Sequence, residues 1–83
     1  MRYFSTGKFL RTLQKYESPV RQDIARAIRL FEAGERESIG LHRLHGRMRA
    51  YHAFSANFSY RVVVKMTKKA SYYIDVGTHD VYQ

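Results

Sequence analysis

Cysteine is absent from the 83-residue chain, which excludes disulfide staples and thiolate metal sites and permits a reducing compartment. There is no apolar run of signal-peptide or membrane-spanning length, since Met1-Arg2-Tyr3-Phe4-Ser5 leads straight into a charged helical pattern. The expectation is a soluble, unprocessed, cytoplasmic protein with no membrane partner. Acidic residues are scarce: 7 Asp and Glu stand against 15 Lys and Arg, for a formal charge of +8. The deficit is deepest between residues 36 and 69, where Arg36, Arg43, Arg47, Arg49, Arg61, Lys65, Lys68 and Lys69 meet a single anion, Glu37, leaving +7 on that stretch. A charge of this size also serves the solubility of a small domain, but its concentration in one stretch that holds three histidines favours a polyanionic partner. Repeats, linkers and low-complexity tracts are also missing, and the length suits one two-layer domain over residues 1–83.

What is present divides the chain in two. Arg2 to Phe4 reads as a short strand, and Ser5 or Thr6 as the cap of a helix carrying Phe9, Leu10, Leu13 and Tyr16 at helical spacing. Ser18 as N-cap and Pro19 in the first turn open a second helix, whose stripe of Val20, Ile24, Ala27, Ile28 and Phe31 ends at Gly34. After Gly40 the period shortens. Tyr51 to Ala56 and Tyr60 to Met66 read as a hairpin turning at Asn57-Phe58, because Asn tolerates left-handed backbone angles. In its second strand Tyr60, Val62, Val64 and Met66 share one face, while Arg61, Val63 and Lys65 share the other, free to meet solvent or ligand. A last strand over Ser71 to Gly77 sets Tyr72, Ile74 and Val76 against Tyr73 and Asp75. The predicted class is α+β, with two N-terminal helices packed on one face of a small antiparallel sheet of three to four strands.

The residues fit for chemistry lie in the basic half. His42 and His45 have a spacing that can put two imidazoles on one helix face, but no carboxylate is close in sequence, and Arg43, Arg47 and Arg49 repel a cation. Neither a metal nor a cofactor is expected. Cleavage of RNA by its own 2′-hydroxyl needs only a proton acceptor, a proton donor and positive charge around the phosphorane, and histidine and arginine supply these. Tyrosine can donate a proton or stack on a base. Each residue also has an ordinary structural reading: His42 and His45 as loop surface, His52 as a sheet-edge residue, Tyr82 as a core aromatic.

His42-Arg43-Leu44-His45-Gly46, the strand around Tyr60-Arg61, and Asp75-Val76-Gly77-Thr78-His79-Asp80-Val81-Tyr82 together resemble the C-terminal half of RelE/ParE-superfamily toxins of type II toxin–antitoxin systems. Phe9-Leu10-Arg11 and Ser18 to Phe31 resemble the helical hairpin of those proteins, so the likeness covers nearly the whole chain. It is strongest to the histidine-using branch of messenger-RNA nucleases, and implies a metal-independent endoribonuclease acting on ribosome-associated message. On that resemblance His42 and His79 act at the scissile phosphate and Tyr82 assists catalysis or stacks on a nucleotide; His45, His52 or Arg61 are the residues the chain can recruit beside them, and the cations Arg43, Arg47, Arg49 and Lys65 are the candidates for binding RNA. Two departures stand out. Ser55 occupies a strand position where many active members carry arginine or histidine, and Ser59 one that is sometimes acidic.

The resemblance also implies a cognate antitoxin and is compatible with a larger complex on operator DNA. A negatively charged, partly disordered antitoxin suits the basic half on physical grounds as well. Two other functions are compatible with the same residues. One is a ParE-like inhibitor of DNA gyrase that performs no chemistry, against which the histidine content weighs. The other is a catalytically silent nucleic-acid-binding homologue, which Ser55 and Ser59 invite.

Overall fold

A computed structural model describes residues 1–82, with the side chains of His79 and Tyr82 also outside the described residues. Strand β1 (Arg2–Ser5) precedes helices α1 (Gly7–Gln14) and α2 (Ser18–Glu32), and strands β2 (His42–Arg43), β3 (His52–Ser55), β4 (Arg61–Met66) and β5 (Ala70–Gly77) follow. Short 3-10 turns occupy Gly46–Met48 and His79–Tyr82. The strands form one five-stranded sheet in the order β1-β5-β4-β3-β2. It is mixed rather than purely antiparallel, because β1 lies parallel to β5 with Arg2 opposite Ala70 and Ser5 opposite Tyr73. That pairing joins the two ends of the sequence, and local pattern carries no trace of it.

Thr6 is the N-cap of α1, its Oγ1 accepting from the Phe9 amide at 3.1 Å. Phe9 is buried, whereas Leu10, assigned by spacing to the same stripe, remains 46% exposed. In α2 the capping position falls to Glu17, without a side-chain cap bond, and Ser18 is already helical. The Ser18 hydroxyl instead accepts from Gln22 Nε2 one turn on, at 3.3 Å. Ile24, Ala27 and Phe31 form the buried stripe as the spacing predicts. The helix stops at Gly34, whose φ of +91° lets Glu35 N–H reach Leu30 O and Gly34 N–H reach Phe31 O, both at 3.0 Å.

The β3–β4 connection turns at Asn57, but not through a left-handed backbone, since no described residue other than glycine has a positive φ. Asn57 Oδ1 accepts from the amides of Ser59 and Tyr60 at 2.8 and 2.9 Å, and its Nδ2 donates to Asp23 on α2 at 2.9 Å. A side-chain acceptor thus replaces the unusual dihedral that the sequence suggested.

Phe9, Ile24, Ala27, Phe31, Phe54, Val62, Val64, Tyr73 and Val76 pack between the helices and the sheet. The last strand breaks the expected alternation. Val64 pairs with Tyr73 and Val63 with Asp75, so Ile74 is an extra residue, a β-bulge. The bulge turns Tyr73 and Val76 together toward the helices and moves Ile74 to the other face. That face is not bare, because Leu44, Ala53 and Val63 form a second core there, with Met48, Tyr51, Ile74 and Val81 packed on it. No helix among the described residues is long and apolar enough to cross a membrane.

Phe54 is fully buried and its ring stacks on Phe31 with centroids 5.0 Å apart, while Phe58 four residues on is 96% exposed. In urea unfolding Phe54→Ala is expected to cost about 3–5 kcal/mol. Phe58→Ala is expected to stay within about 0.5 kcal/mol of the parent chain.

Candidate functional site

Pairing register decides which side chains share the helix-free face. His42 lies opposite Ala53, Ser55 opposite Arg61, and Arg61 opposite Gly77. Ala53 and Val63 belong to the second core, so their register neighbours His42, Ser55 and Arg61 are on that side as well. Lys65, two residues beyond Val63 and opposite Tyr72, is exposed there. Gly77 leads into Thr78 and the turn His79–Tyr82, which brings the expected catalytic end of the chain beside Arg61. The side chains of His79 and Tyr82 lie outside the described residues.

His42 stands on the two-residue edge strand β2, its ring Nδ1 2.9 Å from Gly40 O. Ser55 lies close by, with its Oγ next to Gly40 and its amide bonded to Ile39 O at 2.7 Å. His42 and Arg61 are two strands apart, about 10 Å of sheet. His45 is exposed at the start of the turn Gly46–Met48 and makes no side-chain cap bond. Arg47 and Arg49 are exposed on the same loop. Arg43 has a structural task, since its Nε donates to Arg49 O at 2.9 Å and closes that loop. Arg61 is anchored too: Nη1 donates to the carbonyls of Asn57, Phe58 and Tyr60 at 3.0, 3.3 and 3.2 Å. The guanidinium is therefore held in one place before any ligand arrives.

Four further residues join Arg61 that the search for histidines and cations passed over. Phe58, Ser59, Thr78 and Asp80 line, with Arg61, an open cleft of about 370 Å³ between the β3–β4 turn and the end of β5. Only the full exposure of Phe58 marks it, and nothing in the sequence distinguishes an exposed loop phenylalanine from a buried one. A smaller apolar hollow of about 110 Å³, lined by Tyr3, Phe31, Leu41 and Met66 among others, opens near the end of α2. Among the described residues there is no group of three or more His, Asp or Glu placed to hold a metal ion.

His52 does not join His42. Its register with Val64 and Arg43 puts it on the helix side of the sheet, where Nδ1 is buried and has no hydrogen-bond partner among the described residues. Burial first, then the charges of Arg43, Arg36 and His42, hold its imidazole below the ordinary histidine range. Elsewhere burial and the Glu32 carboxylate, whose Oε2 accepts from the phenol at 2.5 Å, push the Tyr73 hydroxyl far up. Burial likewise raises Tyr16, whose hydroxyl donates to Val76 O at 3.2 Å. Both tyrosines serve the fold as neutral donors.

The lowered His52 value has a stability consequence with a definite sign. The unfolded chain binds a proton at His52 near pH 6.5 and the folded chain only at lower pH, so stability is full above that value and is lost as the pH falls through it. Thermal melts between about pH 7.5 and pH 5.5 are expected to show a steeper loss of Tm in the parent chain than in His52→Gln. Parallel curves would mean that His52 titrates alike in both states.

No family model matches the chain, and no curated protein matches it by sequence. Solved structures do match. YafQ from E. coli strain BL21(DE3) superposes with a TM-score of 0.82 at 14% identity, over 98% of this chain and 97% of that one. The E. coli DinJ-YafQ complex gives 0.76 at 15% identity over 98% and 97%. A YoeB/ParE toxin from Agrobacterium tumefaciens gives 0.77 at 16% identity over 95% and 99%. The superpositions span nearly all of each chain, so two helices packed on one face of a mixed five-stranded sheet form a RelE/ParE-like α+β fold, shared with these toxins.

Proposed function

We propose that the chain is the toxin of a toxin–antitoxin pair and that it cuts messenger RNA without a metal ion. The observation that carries this reading is the helix-free sheet face. There His42 on the edge strand, a pre-anchored Arg61 next to Gly77 and, farther along β4, Lys65 share one face of the sheet, on a chain of charge +8. The fold is that of YafQ and of a YoeB/ParE toxin, which supports the toxin class.

In the proposed reaction a base takes the proton of a ribose 2′-hydroxyl, and the oxygen attacks the adjacent phosphorus. A new P–O bond forms as the P–O bond to the 5′-oxygen breaks, and an acid delivers a proton to that leaving oxygen. The products are a 2′,3′-cyclic phosphate and a free 5′-hydroxyl, with no other reactant. His42 and His79 are the proton carriers in this reading, His45 a reserve at the loop, and Tyr82 the aromatic partner of a base. Arg61, already fixed by three carbonyls, offers charge where the phosphorane develops, without a reorganisation cost. Arg43, Arg47, Arg49 and Lys65 carry the flanking phosphates.

The antitoxin proposed here is acidic and partly disordered, by complementarity to the basic half. The DinJ-YafQ complex is a precedent for the pairing. Assembly on operator DNA and action in the cytoplasm on ribosome-associated message belong to the same reading. Ser55 favours one alternative, a silent RNA-binding homologue, because it puts a hydroxyl opposite Arg61, where a base or cation would assist the reaction.

The test is primer extension on messages isolated after brief induction. The parent chain is expected to produce new ends inside reading frames, in a codon phase that reports ribosome dependence. His79→Ala is expected to lower cleavage by at least about a hundredfold. Growth arrest with intact messages would sink the nuclease and leave gyrase inhibition or silent binding.

A further inference from the structure

We infer that the cleft beside the β3–β4 turn is a subsite for one unpaired nucleobase, guanine ahead of the others, with Phe58 as its stacking platform and Asp80 as the group that reads its edge. The inference rests on the RNA reading above and adds a residue-level specificity to it.

Phe58 is 96% exposed in the middle of a polar turn. The turn does not need an aromatic side chain, because Asn57 shapes it by side-chain bonds and Phe58 contributes only its carbonyl to Arg61. Leaving a whole phenyl ring in water forgoes the stabilisation that burial would give. The ring also lines a cleft whose volume, about 370 Å³, falls in the range of small-ligand sites, about 300–1,000 Å³. Flat aromatic faces take up unstacked bases irrespective of sequence.

The charges in the cleft determine which part of a nucleotide enters. Asp80 is exposed there and belongs to neither ion pair among the described residues, which are Lys8 with Asp75 and Arg26 with Asp23. A carboxylate repels phosphate and accepts hydrogen bonds, so the cleft suits the uncharged base. Arg61 on the same wall attracts the adjoining phosphate. Among bases, guanine offers two parallel donors, N1–H and the N2 amino group, that match a carboxylate in bidentate fashion. Adenine and cytosine offer one amino group beside a ring acceptor. Uracil offers N3–H between two carbonyl oxygens that the carboxylate repels.

The test uses short 2′-O-methyl oligouridylates, which lack the attacking hydroxyl, with a single central G, A, C, U or abasic site. Binding is read by fluorescence anisotropy at low salt. The parent chain is expected to bind the G probe about tenfold more tightly than the U probe, and the abasic probe most weakly. Phe58→Ala is expected to weaken the G probe about tenfold, and Phe58→Tyr to restore it. Asp80→Asn is expected to abolish the preference for G while retaining the difference between base and abasic probes. Equal binding by Phe58→Ala and the parent chain, or a G preference that survives Asp80→Asn, overturns the subsite and leaves RNA binding standing. Failure of the parent chain to bind any probe overturns the RNA reading itself.

Discussion

The bulge at Ile74 is the constraint on which both faces of the sheet depend. Without the extra residue a strict two-residue alternation would point Tyr73 and Val76 to opposite faces, and the helices would lose one of them. With it, Tyr73 and Val76 both enter the main core, and Ile74 is left to the second core beside Val63. Thr6 locks the irregularity in place. Its amide continues the parallel β1–β5 ladder to Tyr73 O at 3.1 Å, and its hydroxyl lies 3.1 and 3.2 Å from the carbonyls of Tyr73 and Ile74, so the start of α1 sits directly against the bulge.

The second core has a functional consequence. Leu44, Met48 and Tyr51 from the loop side and Val81 from the terminal turn cover the middle of the helix-free face. Of the polar candidates on this face, His42 lies on the edge strand and Arg61, at the start of the central strand β4, lies with Thr78 and Asp80 at that strand's end. The apolar patch gives the basic loop and the terminal turn a common anchor, so two segments distant in sequence are held against one sheet.

Arg61 illustrates how a catalytic candidate and a structural residue can be the same side chain. Its three carbonyl partners close the β3–β4 turn, and the same bonds remove the side-chain freedom that a free arginine would lose on binding. Replacing it disturbs the turn as well as the charge, which makes its loss harder to interpret than the loss of a loop histidine. His52 shows the opposite case. It is a histidine in a basic setting, turned by one residue of register to the helix side, where burial and then the neighbouring charges hold its imidazole below the ordinary histidine range.

The sequence by itself determined much of the class. Stripes at helical spacing located α1 and α2, β-branched and aromatic runs located β3, β4 and β5, and the motifs from His42 to Tyr82 led to the fold that the structural neighbours share. These signals are local, arising from neighbours within a turn or a strand. The tertiary structure alone decided the parallel pairing of β1 with β5, the phase of β5 after Ile74, the anchoring of Arg61 and the side of the sheet on which His52 lies. It also decided that Phe54 is buried while Phe58 stands in a cleft with Asp80. Each of these depends on contacts between residues far apart in the chain, or on a single extra residue that reverses every face beyond it, and hydrophobic periodicity carries no information about either.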